Sequence, residues 1–84
     1  METEYNGWKN RQTWNVALWL MNDEYLYRKA VEYVAERKAR GGMARLYSGF
    51  IHTMGIERER TGDNIAWVST RLDYPALNEM MLEL

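Results

Sequence analysis

The fold is decided by Asn10-Arg-Gln-Thr-Trp-Asn-Val-Ala-Leu-Trp-Leu-Met-Asn-Asp-Glu24, the most apolar run of the chain. Four side chains in it recur at i, i+3, i+4 and i+7, the spacing of one helix face: Trp14, Ala17, Leu18 and Met21. Val16, Trp19 and Leu20 fill much of the remaining circumference. Because a helix that is apolar on nearly all sides is buried on most of them, the run predicts the central helix of a small helical domain.

The composition is that of a small globular protein. The chain has 84 residues, of which 46% are hydrophobic and 27% charged, and this indicates one domain over residues 1–84. It has no Cys, which removes disulfides and thiolate metal sites and fits a reducing compartment. No apolar run reaches membrane-spanning length, so we expect no membrane partner and no secretory signal. A formal net charge of −1 disfavours a dedicated nucleic-acid-binding protein.

Periodicity and capping residues predict an all-α architecture, a small irregular bundle of about four helices. The first helix begins after Asn10 or Thr13 and ends near Asn22. The others are expected over residues 24–40, over residues 43–54, and after Asp73, with Pro75 in the first turn. Gly49, inside the third helix, suggests a close approach to another helix, such as one across a Trp of the first helix.

Two segments are expected to be irregular. Residues 1–9 form a lead-in, whose Tyr5 and Trp8 are expected to close one end of the core. Residues 56–72 form a connector, charged and solvated at its start, with Thr61 to Asn64 as a plain turn. Within the connector, residues 65–68 predict a short extended segment that lies over the helices and is anchored by Trp67.

A search for chemistry identifies no catalytic, cofactor or metal site. The one histidine, His52, has no Asp or Glu three or four residues away, and the nearest acid is Glu57. The carboxylates lack the spacing of a metal loop, and the glycines match no phosphate-binding motif. We therefore expect a protein that is not an enzyme and has no cofactor.

The strongest cluster of charge is basic: Arg37, Lys38, Arg40 and Arg45. These residues straddle the turn between the second and third helices. Such a cluster can bind phosphates, or it can simply complement the dipole at a helix end. Tyr47 is the aromatic best placed to stack a base beside it, but Tyr47 also fits the apolar stripe of the third helix.

A second set of candidate contacts is acidic and polar. The carboxylates that can meet a basic protein surface are Asp23, Glu24, Glu79 and Glu83. Asn15 has no capping role, and a polar side chain in so apolar a helix needs a partner if it is buried. Asn15, Asp23 and Glu24 are therefore candidate partner contacts. A domain rich in Trp, Tyr, Met and Arg favours protein–protein binding, and a homodimer is an alternative.

The run from Trp8 to Glu24 resembles a signature of small uncharacterised proteins of bacteriophages and other mobile elements, Asn-x-x-Thr-Trp-Asn-Val-Ala-Leu-Trp followed by Asn-Asp-Glu. Many of these proteins also end in an aspartate-led helix like that after Leu72. The resemblance implies a phage or mobile-element origin and a place in the cytoplasm of a bacterial host, and it brings no activity and no catalytic residue.

Proteins of this size and origin often block a host protein or a defence complex. We therefore expect a noncatalytic accessory protein that binds a host macromolecule as an inhibitor, for example as an anti-CRISPR protein. The alternative is a small nucleic-acid-binding regulator that uses the basic turn.

Overall fold

Four α-helices, connected by short irregular segments, build the part of the chain that the structure describes, residues 5–84 of the computed structural model. They are α1 (Arg11–Asn22), α2 (Glu24–Arg40), α3 (Leu46–Met54) and α4 (Tyr74–Leu82). Residues 5–84 contain no β-strand, only isolated bridges, so the predicted all-α class is confirmed. None of the described helices is long and apolar enough to cross a membrane. Residues 1–4 of the predicted lead-in lie outside the described range.

Short polar side chains set the starts of three helices, where the sequence predicts them. The Oδ1 atom of Asn10 accepts from the backbone N–H of Thr13 at 2.9 Å at the start of α1. Asp23 and Asp73 cap α2 and α4 in the same way. Each cap binds a backbone N–H that has no partner within the helix, so these boundaries follow from local sequence. The bounds predicted for α2 are confirmed.

The third helix begins three residues later than predicted, at Leu46 rather than Met43. Arg45, just before it, adopts a left-handed conformation with φ 55°, which ends any continuation towards the N-terminus. The side chain of Asn78 in α4 accepts from the backbone N–H of Tyr47 at 2.9 Å. One of the free N–H groups at this helix start is thus bound by a side chain of another helix, a contact that spacing along the sequence does not reveal.

The core forms where the four helices meet. Its buried apolar members are Val16, Ala17, Leu20, Ala30, Val34, Leu46, Tyr47, Phe50, Ile51, Trp67, Leu72, Leu77 and Met81. Trp67 is only 4% exposed and anchors the irregular segment 65–68 as predicted. The hydroxyl of Tyr47 donates to the backbone oxygen of Trp67 at 2.7 Å, and burial raises the pKa of the Tyr47 phenol well above its ordinary value.

The first helix presents a different face to the core from the one that spacing suggests. Its buried residues are Thr13, Asn15, Val16, Ala17 and Leu20. Of the i, i+3, i+4, i+7 set, only Ala17 is buried, while Trp14 and Leu18 are half-buried and Met21 is 40% exposed. Residues 12–20 of α1 are all buried or half-buried, so the expectation that α1 is buried on most of its sides is confirmed, and the spacing was wrong only about which face lies deepest in the core.

Two close approaches place glycines against aromatic rings. A Cβ at Gly49 would overlap the hydroxyl of Tyr33, so the partner is a tyrosine of α2 and not a tryptophan of α1. A Cβ at Gly62 would overlap the indole ring of Trp19. The turn after Thr61 therefore packs directly against α1, although residues 62–64 are exposed, as expected for a solvated connector.

A tight turn over residues 5–8 covers one end of α1. Two backbone hydrogen bonds join Tyr5 and Trp8, of 2.6 and 2.8 Å, across Asn6 at φ 51° and Gly7 at φ 87°. Positive φ at both central positions is the geometry that Asn-Gly favours. The ring of Tyr5 lies over that of Trp14 at a centroid distance of 4.8 Å, and Trp8 is half-buried against the core.

Candidate functional site

A band of partly exposed apolar side chains runs along α1 and onto α4. Together with Ala17, five of them line a depression of about 260 Å³: Trp8, Trp14, Leu18, Met21 and Met80. We call these five residues the apolar strip. Trp14, Leu18 and Met21 are spaced four and three residues apart, so they share one side of α1. Met80 of α4 faces them, and Trp8 of the N-terminal turn completes the wall.

A second, larger depression continues the strip. It measures about 510 Å³ and shares Trp8, Met21 and Met80 with the first. It reaches as far as Tyr27 of α2, which is exposed, and Leu84 beyond the end of α4. Because the two depressions share three walls, the apolar surface is continuous across both of them. Contiguous apolar surface of this kind is a mark of an interaction site.

Carboxylates lie on both sides of the apolar strip. On the α4 side, Glu79 and Glu83 line the larger depression. On the other side a third cavity, of about 470 Å³, is lined by Asp23, Glu24 and Asp63 together with Leu18, Trp19 and Asn22. Leu18 lines both this cavity and the strip, so the two are neighbours. We call these two groups of carboxylates the acidic margins. No Lys or Arg lines any of the three cavities.

Asp63 is held in its margin by two donors from α1. The Oδ2 atom of Asp63 accepts from Asn15 Nδ2 at 2.8 Å and from Trp19 Nε1 at 3.0 Å. These two hydrogen bonds lower the pKa of the Asp63 carboxyl below its usual range, and the one from Asn15 has the larger effect. Asn15 also accepts from the hydroxyl of Thr61 at 2.7 Å. The margin is therefore charged at neutral pH and fixed to α1.

Of the partner contacts predicted from sequence, the structure places two at the surface and one inside. Asp23 and Glu24 line the cavity beside Trp19. Asn15 is 0% exposed, so it presents no surface to a partner, and its side chain instead holds Asp63 and Thr61. Sequence reasoning missed Asp63, although the need of a buried Asn15 for hydrogen-bond partners was the signal that pointed towards one.

A second polar connection joins α1 to the start of α4. Asn10 Oδ1 accepts from the hydroxyl of Thr13 at 2.7 Å, and that hydroxyl accepts from the backbone N–H of Asp73 at 3.0 Å. The amide of Asn10 donates to the backbone oxygen of Arg71 at 2.7 Å. The polar residues of the Trp8 to Glu24 run thus fix α1 against α4, and this fixes the two walls of the strip relative to each other.

A protein-family model matches the whole sequence, residues 1–84. The chain belongs to DUF7249, a family of unknown function. The match spans the middle of the chain as well as the Trp8 to Glu24 run. No curated protein and no solved structure is matched.

The basic cluster of this DUF7249 protein is partly occupied by its own chain. Arg37 donates to the backbone oxygen of Gly42 at 2.7 Å, and its guanidinium lies over the ring of Tyr33. Arg40 forms an ion pair with Glu36 at 3.3 Å. Lys38 and Arg45 are exposed. Tyr47, the aromatic expected to assist this cluster, is fully buried in the core and so cannot stack on a base.

His52 has an acidic neighbour that the helical spacing did not suggest. Its Nδ1 atom lies 2.9 Å from Glu57 Oε2, because the chain turns back after Gly55 at the end of α3. A backbone hydrogen bond of Glu57 and the contact with His52 lower the pKa of the Glu57 carboxyl. The His52 side chain is 82% exposed. Within residues 5–84, no group of three or more His, Asp or Glu is placed to hold a metal ion.

Proposed function

We propose that this protein is a noncatalytic binding protein and that a host protein docks on the apolar strip. The observation that carries the proposal is the orientation of α1. Its most regular apolar face is only partly covered, with Trp14 and Leu18 half-buried and Met21 40% exposed, while a neighbouring face fills the core. Exposed large apolar side chains cost solubility, so a surface that retains them together is best explained by a partner that covers them.

The composition of this surface supports a protein partner. An apolar centre with a charged perimeter is the arrangement of most protein interfaces. Trp and Met are among the residue types enriched at such centres, and buried Trp side chains supply much of the energy at binding hot spots. The apolar strip has Trp8, Trp14 and two methionines at its centre and carboxylates on both sides.

The hydrogen bonds behind the strip support the same proposal. Asn10 and Thr13 join α1 to the start of α4, and Asn15 joins α1 to the turn that carries Asp63. A surface that is already held in place loses little conformational entropy when a partner binds. The polar residues of the helix then serve binding indirectly, by positioning the apolar ones.

The resemblance to small proteins of phages and mobile elements supplies the biological setting of the proposal. In that setting the partner is a protein of the bacterial host or one of its defence complexes, met in the cytoplasm. The protein would act as an inhibitor by covering a surface that the partner needs, as an anti-CRISPR protein does.

Binding of nucleic acid through Arg37, Lys38, Arg40 and Arg45 receives less support. Two of these four side chains already have partners within the chain. Glu36 lies beside them and offsets part of their charge.

The proposal is tested by capture from host cells that express the protein with a photo-crosslinking amino acid in place of Met21. The same amino acid in place of Val68, which is 44% exposed and outside the strip, is the matched control. We expect one host protein to crosslink from position 21 and not from position 68. Its recovery with the uncrosslinked protein should fall at least about tenfold in Met21→Lys, since hot-spot losses are ~2 kcal/mol or more.

Circular dichroism would confirm that Met21→Lys keeps its helices. A partner that is recovered equally with wild type and with Met21→Lys, and that crosslinks only from position 68, would place binding elsewhere. Recovery of no host protein by either route would end the proposal.

A further inference from the structure

We infer that the occupant of the apolar strip is an amphipathic helix of the partner, with Lys or Arg on both of its flanks. The inference rests on the proposed function and specifies the chemistry of the partner at that same site. It depends on two observations, the charge on both sides of the strip and the kind of backbone that the strip can accept.

The charge argument follows from the acidic margins. Glu79 and Glu83 lie on one side, and Asp23, Glu24 and Asp63 lie on the other. No basic side chain lines the cavities between them. The charge of Arg11 acts on Asp63, but a partner with acidic flanks would add like charge beside both margins, and a partner with neutral flanks would add no charge that balances them. Basic flanks complement both margins at once, which also speeds association and sets the register of binding.

The backbone argument follows from the helical walls of the strip. α1 and α4 satisfy their own backbone groups, and residues 5–84 contain no strand whose edge could pair with a partner. An extended peptide laid on this surface would turn N–H and C=O groups towards apolar side chains, where they would find no acceptors or donors. A helix satisfies its backbone internally and presents apolar side chains at i, i+3, i+4 and i+7.

The shape of the strip agrees with this. Met21 and Met80 stand between two adjoining depressions of about 260 and 510 Å³, which suit successive anchor side chains from one face of a helix. Methionine is unbranched and flexible, so both walls can adjust to anchors of different shape.

A second copy of this chain fits the strip less well. Because both margins are acidic, a face-to-face dimer on this surface would oppose carboxylates in any register. A membrane with anionic headgroups would meet the same repulsion.

The test uses the full-length protein and three synthetic peptides of about five helical turns, roughly 18 residues. The first has Leu at i, i+3, i+4 and i+7 with Lys at all other positions. The second has Glu in place of every Lys. The third has the composition of the first, with its Leu residues moved to i, i+2, i+4 and i+6, the pattern of a strand. Isothermal titration calorimetry should show that the first peptide binds at least about tenfold more tightly than the other two, a difference of ~1.4 kcal/mol.

Two double variants test whether binding depends on the carboxylates of the acidic margin or only on the net charge of the protein. Glu79→Lys with Glu83→Lys should weaken binding of the Leu–Lys helix at least about tenfold. Glu32→Lys with Glu36→Lys changes the net charge equally, at an exposed i, i+4 pair on α2, and should leave the affinity within about twofold. Equal effects of the two double variants, or equal binding of the Lys and Glu helices, would overturn the inference.

Two further outcomes separate this inference from the proposed function. If a host protein crosslinks from position 21 through a segment that is not a basic helix, the inference is wrong and the proposed function stands. If the Leu–Lys helix binds as expected but no host protein crosslinks, the site chemistry stands and the proposed function fails. If analytical ultracentrifugation shows a dimer and Met21→Lys abolishes it, the occupant of the apolar strip is a second copy of the chain and not a partner helix.

Discussion

Replacement of Asn15 by Asp tests whether the site is held by the buried amide. The substitution keeps the size of the side chain and changes its NH2 group to an oxygen. In the wild type that NH2 group donates to Asp63 Oδ2 at 2.8 Å. In Asn15→Asp two carboxylate oxygens would face each other, and one of them would belong to a side chain at a position that is 0% exposed. A buried charge without a partner of opposite sign costs about 3 to 5 kcal/mol.

This loss is large relative to the stability of the whole chain. A domain of 84 residues has a free energy of unfolding of roughly 4 to 12 kcal/mol. Urea unfolding followed by tryptophan fluorescence at about pH 7.5 should therefore show a much lower midpoint for Asn15→Asp, or no folded baseline. The matched control is Asn6→Asp, the same exchange at an exposed turn position where Asp-Gly suits the turn as Asn-Gly does, which should change stability by less than about 0.5 kcal/mol.

The effect should also depend on pH in a defined direction. Burial and the nearby Asp63 raise the pKa of the introduced carboxyl in the folded state above its unfolded value of about 3.9. The destabilisation is therefore complete above the raised pKa and decreases as pH falls through it, so the variant should recover at about pH 5 relative to pH 7.5. An Asn15→Asp variant as stable as wild type at pH 7.5 would refute the described role of Asn15.

Two further predictions concern the Asp63 carboxylate and the close approach of Gly49 to Tyr33. The pKa of Asp63 is lowered in the folded state, so its contribution to stability is present above its unfolded pKa and is lost as pH falls through the folded value. Melting curves by circular dichroism should show that Asp63→Asn is less stable than wild type at neutral pH and that the difference vanishes in acid, whereas a difference independent of pH would contradict the bonding to Asn15 and Trp19. Gly49→Ala gains about 1 kcal/mol of helix propensity but drives a methyl group into Tyr33, and overpacking costs about 1 to 3 kcal/mol. Denaturant unfolding should show a lower free energy of unfolding for Gly49→Ala than for wild type. The control, Ser48→Ala at the exposed neighbouring position, should show no decrease. A Gly49→Ala variant more stable than wild type would show that the contact with Tyr33 is loose.

Sequence reasoning was most accurate where a boundary depends on local interactions. Asn10, Asp23 and Asp73 cap N–H groups within the following turn, so each helix start is encoded within a few residues. It was least accurate at α3, whose first turn depends on Asn78 from a helix more than twenty residues away. No local pattern records such a contact.

The candidate site shows the same division. Asp23 and Glu24 were identified because they are charged and lie at a helix start, whereas Asp63 looked like part of a plain turn. Its role depends on Asn15, which is 48 residues away in sequence. The acidic margins and the partly exposed apolar strip exist only because the chain brings these distant segments together.

By itself, the sequence determined that the chain folds as helices, where three of them begin, and that α1 is strongly apolar, because capping and periodicity act within a few residues. Only the tertiary structure decided which apolar side of α1 is buried. Trp14, Leu18 and Met21 are as apolar as Val16, Ala17 and Leu20, so hydrophobicity alone cannot rank the two faces. The choice depends on which face the rest of the chain covers, and the side left at the surface is the one on which the proposed function rests.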